Sequence, residues 1–191
     1  MIRLFLCALA VLVVPSVSLS ADISIKMSEI PAGSWFLMKS NAGESMHVFR
    51  GKKGRYYIYD FVPGTDPNAP RHFRDLRTAD GNTVKRILLG GNTLEFTPHN
   101  CRRVVGRCEY TETGLDKNGA KYRTKMVRIN SPSGKGFTYE QFAVADTGEQ
   151  VPIQKGKVAG LDSKGMLLSA SMTRASDGRS LKFKKLRASW D

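Results

Sequence analysis

Turn residues cut this chain at short, nearly even intervals, and no other feature limits its fold as much. They fall at Asn41/Gly43, Gly51/Gly54, Pro63/Gly64, Asp80/Gly81, Gly90/Gly91, Asp116/Gly119, Ser133/Gly134, Thr147/Gly148, Asp162/Gly165 and Asp177/Gly178. Gly, Asn and Asp tolerate the positive φ that tight hairpin turns demand. Between them lie segments rich in Tyr, Phe, Val, Ile and Thr: 34–39, 45–50, 55–62, 72–78, 83–89, 93–97, 104–113, 121–130, 137–145, 166–174 and 180–189. No window of helical length keeps apolar residues at i, i+3, i+4 and i+7 without a glycine breaking it. The pattern predicts an all-β antiparallel meander of about eleven strands, closing as a barrel or a two-sheet sandwich. The one long irregular stretch, 63–71, holds three prolines, which cannot donate to a sheet.

Gly114-Leu-Asp-Lys-Asn-Gly119 returns as Gly160-Leu-Asp-Ser-Lys-Gly165, with Met126 and Arg128 matching Met172 and Arg174 at the same offset. The echo suggests a duplicated hairpin unit. Side chains alternate along a strand, so equivalent positions should share a face. Met166, Leu168, Ala170 and Met172 are read as inward. Transfer through the repeat turns Tyr122, Thr124 and Met126 inward and Lys121, Arg123 and Lys125 outward. Near the C-terminus Leu181 and Phe183 alternate with Lys182 and Lys184. The phase then slips, predicting a bulge near Lys184 and Lys185, after which Lys185 and Arg187 continue outward.

Residues 1–20 carry a single charge, Arg3, then an apolar run from Leu4 to Val14 about half as long as a spanning helix, Pro15, and small polar residues. This reads as a signal peptide cleaved before Ala21, with 21–191 as one domain and no transmembrane segment. The expected location is the periplasm or the secreted fraction. Cleavage of 20 residues including one arginine takes the net charge from +13 to +12 on 171 residues. Cys7 lies in the leader, so Cys101 and Cys108 are expected to pair as a disulfide. Redox spacing of the C-x-x-C kind and a four-ligand zinc set are both missing, and no metal or other cofactor is assigned.

The sequence holds no G-x-S-x-G, H-E-x-x-H, P-loop or dinucleotide fingerprint. Glu109 and Glu112 have opposite strand parity, which separates them as a carboxylate pair. Tyr57, Tyr59 and Phe61 share one face, expected to be core. The expectation is a non-enzymatic exported domain whose basic face binds an anionic lipid, lipopolysaccharide or acidic glycan. Its candidate residues are Lys121, Arg123, Lys125, Lys182 and Lys184, with Lys52, Lys53 and Arg55 on a hairpin tip. Nucleic acid is disfavoured in that compartment. A protein-partner module, such as an inhibitor or envelope assembly factor, and a hydrolase with an unrecognised site are the alternatives. The interior discriminates: an enclosed apolar cavity implies a lipid or small-ligand carrier, and a filled one places function on the surface.

Overall fold

The computed structural model describes residues 23–116 and 118–190. The proposed leader and its cleavage site lie outside these residues. Twelve antiparallel strands form one closed barrel in chain order: β1 (Trp35–Ser40), β2 (Gly43–Lys53), β3 (Tyr56–Pro63), β4 (Phe73–Arg77), β5 (Thr83–Leu88), β6 (Thr93–Thr97), β7 (Gly106–Leu115), β8 (Lys121–Ser133), β9 (Gly136–Val144), β10 (Gln150–Leu161), β11 (Leu167–Arg174) and β12 (Ser180–Ala188). β12 returns to pair with β1, and closure removes the free edges that an open sheet would expose. The only helical element among the described residues is a 3-10 turn at Met27–Glu29.

Eleven strands match the segments read from the sequence, and β10 is the addition. Pro152 and two glycines hide it. Pro152 stands beside a register shift against β9, and Gly156 lies beneath the Tyr139 ring. A Cβ at Gly156 would stand 2.4 Å from the Ser171 carbonyl oxygen and 2.7 Å from that ring, so only glycine fits.

Two departures from the expected facing occur. At the start of β11 the pairing with β10 is irregular, and Leu167 packs inward while Leu168 is exposed. The expected bulge in β12 sits at Leu186, because Met38 pairs with Lys185 and Leu37 with Arg187. Because the bulge comes after it, Lys185 keeps the inward phase of Phe183, and its Nζ lies 3.0 Å from the Asp162 carboxylate. Arg187 does face out, over the Trp35 ring. The two repeat turns share one geometry: Asp116 and Asp162 each accept from backbone N–H groups two and four residues on. They lie at opposite barrel ends, since β7 and β10 run in opposite directions, so the likeness is one of turn chemistry.

Residues 23–34 close one end. Ile25 N–H donates to Asp80 O at 3.0 Å and Met27 N–H to Ala79 O at 3.0 Å. Ile23, Ile25 and Met27 are buried among Phe137, Val158, Met166 and Phe49 at the base. Gly165 has φ +75, and a Cβ there would stand 2.7 Å from Ser24 O, so the 162–165 turn clears the incoming chain only as glycine. The proline-rich 63–72 connection lies outside the wall. Leu37, Met46, Val48 and Val62 form an outward apolar cluster with Ala69 of that connection, which Arg50 holds through Pro67 O at 2.7 Å. The opposite end carries the β1–β2 turn and is where the interior opens.

Candidate site inside the barrel

A barrel of about eight strands fills with side chains, and a wider one leaves room. Here the room is a cavity of about 810 Å³ running from the base to the rim at Ala42, Gly43 and Pro63. Its size falls in the ~300–1,000 Å³ range of small-ligand sites. The strands place two chemistries on its wall. Phe36, Met38, Phe61, Phe73, Met172 and Phe183 make an apolar section, reinforced by Phe61 stacked on Phe73 with centroids 4.7 Å apart. Deeper in, five arginines line it: Arg77, Arg86, Arg102, Arg103 and Arg128.

One carboxylate answers these five. Asp75 is fully buried and points inward from β4; Arg86 grips it through Nε at 2.7 Å and an Nη at 3.0 Å, and Arg77 adds a third bond at 3.0 Å. Burial pushes the Asp75 pKa up, but the Arg86 hydrogen bonds and the Arg77 and Arg86 charges outweigh it and hold the carboxyl at about 2. Arg77 also stacks on Tyr59 and Arg86 on Phe73, both within 4 Å of the ring centre. Arg77 Nε is buried with no hydrogen-bond partner.

The other three arginines have neutral partners or none. Arg128 donates to Asn130 Oδ1 and Gln141 Oε1 and lies over the Tyr139 ring. Arg103 donates to the carbonyls of Ile23 and Gly165, stitching the base segment to the β10–β11 turn. Arg102 makes no side-chain hydrogen bond or ion pair with any described residue. It lines the cavity and is exposed. Burial lowers the pKa of all three, to about 9 for Arg103 and about 10 for Arg128, with neighbouring arginine charges adding to the effect.

The loop carrying Arg102 and Arg103 is held from three sides. Cys101 and Cys108 are disulfide-bonded, with Cα atoms 5.8 Å apart. Asn130 donates to Cys101 O and Val104 O, and Asn82 Oδ1 accepts from Arg103 N–H. Cys101 itself has φ 57, which turns the chain sharply just before Arg102. His99 lies beside the bonded sulfurs and accepts from Cys101 N–H at 3.2 Å.

The residues proposed from sequence are on the outside. Lys121, Arg123 and Lys125 are exposed along β8, and Lys182 and Lys184 along β12. Four strand steps separate the two rows, so they do not make one patch. Lys182 and Lys184 are joined instead by Lys157 across β11 and by Lys39 on β1. Lys52, Lys53 and Arg55 occupy the β2–β3 tip at the closed end, with Lys52 over Tyr57 and Arg55 over Tyr56. Glu109 pairs outside with Arg107, and Glu112 faces in to accept from Tyr122 Oη at 2.7 Å.

None of the five interior arginines was among the binding residues proposed from sequence. Parity held the missing signal: Arg77 and Asp75 share the Phe73 face, and Arg128 shares the Met126 face that the repeat had assigned inward. Nothing in the alternation foretold Arg102 and Arg103, which sit on a loop. Comparisons of the chain with models of protein families, with curated proteins and with solved structures found no match.

Proposed function

We propose that this protein is a non-enzymatic exported barrel that holds an anionic amphiphile in its interior, acid group toward the arginines and apolar chain toward the rim. The observation that carries the reading is Arg102. Arg102 is exposed on the cavity wall and makes no side-chain hydrogen bond or ion pair with any described residue, so its guanidinium donors are free to meet a bound group. An anion seated there would accept charge-assisted hydrogen bonds from Arg102 and Arg128. The aromatic and methionine wall above supplies the hydrophobic contact that a small-ligand site needs. The disulfide accords with an oxidising compartment.

Native mass spectrometry of the 21–191 protein tests it. Decanoate should give a one-to-one complex and decyltrimethylammonium none. Ala170→Trp, which puts an indole into the cavity, should abolish the decanoate complex while the protein stays folded.

A second reading keeps the expectation drawn from the sequence, with the outer wall meeting an anionic lipid surface or glycan. Lys157 on β10 and Lys182 and Lys184 on β12, on either side of β11, favour it. Cosedimentation with vesicles containing phosphatidylglycerol, lost on reversing these three charges, is its test.

A further inference from the structure

We infer that the head group is a phosphate monoester on a single apolar chain, a choice of ligand that rests on the interior reading above. The charge count favours a dianion. Asp75 leaves the Arg77 and Arg86 trio at one net positive charge, and Arg102, Arg103 and Arg128 each add one without a carboxylate partner. A carboxylate would answer one charge of these four. A phosphate monoester carries about −1.5 to −2 at pH 7, and its second pKa near 6 would fall beside so many cations.

The placement of the guanidiniums favours it as well. Arg102 reaches in from the β6–β7 loop, between Arg86 on β5 and Arg128 on β8, so three separate elements of one sector of the wall line the same space with guanidiniums. A carboxylate presents two oxygens in one plane, which suits a single two-pronged arginine. A phosphate presents three terminal oxygens in a tetrahedral spread, able to accept from several guanidiniums. The apolar section, Phe36, Phe61, Phe73, Met172 and Phe183, lines one continuous space up to the rim, matching one chain.

Calorimetric titration of the 21–191 protein with decyl phosphate, decanoate and inorganic phosphate separates the sources. Decyl phosphate should bind at least about tenfold more tightly than decanoate at pH 7.5, with the gap narrowing at pH 5.5 as the phosphate regains its second proton. Inorganic phosphate should bind far more weakly than decyl phosphate. Arg102→Met should bring decyl phosphate and decanoate close to parity, and Arg102→Lys, which keeps the charge, should retain the preference; circular dichroism verifies both folds. Equal affinity for decanoate and decyl phosphate in the parent would overturn the dianion and leave the amphiphile. Inorganic phosphate binding as tightly as decyl phosphate would overturn the chain. A preference that survives Arg102→Met would remove the head from the arginines. Failure of all three probes to bind would overturn the interior reading itself.

Discussion

The imidazole of His47 stacks on the ring of Phe36, with centroids 4.6 Å apart and planes 9° from parallel. Tyr59 and Phe61 close on its other sides, and Arg77 and Arg86 add positive charge nearby. Burial, then Arg77, drive the His47 pKa down to about 3. The folded protein keeps His47 neutral where the unfolded chain protonates it, so unfolded molecules bind the extra proton between about pH 6.5 and 3 and stability falls as pH falls through that window. The loss reaches roughly 2 kcal/mol by pH 5, or several degrees in Tm for a domain of this size. His47→Phe should flatten melting curves recorded between pH 6.5 and 4.5. An unchanged slope would mean that His47 is not the group responsible.

Asp75 carries the opposite kind of dependence. Its folded pKa lies below the usual 3.8, so its contribution is full above that value and is lost as pH falls through about 2. Asp75→Asn leaves Arg77 and Arg86 facing each other without their carboxylate, and urea unfolding at pH 7 should show a loss of about 3–5 kcal/mol. A loss below about 1 kcal/mol would mean that the cavity solvates the two guanidiniums unaided.

The disulfide loop links stability to the site. An eight-residue ring constrains the unfolded chain by about 2.5 kcal/mol in the chain-entropy account. Cys101→Ser with Cys108→Ser should lower unfolding free energy by about that amount and also weaken decanoate binding, because the loop presents Arg102 and Arg103. Unchanged binding in a destabilised variant would show that the other loop contacts position the arginines without the bridge.

The fold was legible in the sequence to the extent that turns and strand alternation determine it. The hairpin turns placed eleven of the twelve strands, and the inward facing of Met126, Tyr59 and Phe183 followed from parity. The choice of barrel over sandwich was not legible, because it depends on β1 meeting β12 across the whole chain. The site was hidden by its chemistry. An arginine inside a barrel and one on its wall look alike in a basic sequence, and Arg86 and Lys85 are adjacent residues with opposite fates. The bulge falls at Leu186, after Lys185, so Lys185 stays on the inward face with Phe183 and meets Asp162 against the expected row.

The outer rows give a control. Lys121, Arg123 and Lys125 are solvent-facing and away from the cavity, so reversing all three to glutamate should change unfolding free energy by less than about 1 kcal/mol, because exposed sites of this kind carry little stability. Decanoate affinity should stay that of the parent. A marked drop in affinity would move the binding site from the interior to the wall.

Thermal melts of the parent and Arg102→Met, each with and without decanoate, test interior binding most directly. Without ligand, Arg102→Met should melt close to the parent, since it replaces an exposed side chain that makes no hydrogen bond or ion pair with a described residue. With ligand at about 100 times its Kd, the parent should gain about 2.7 kcal/mol while the variant gains little. Equal ligand-induced shifts in the two proteins would contradict the assignment of Arg102 as the residue that meets the anion.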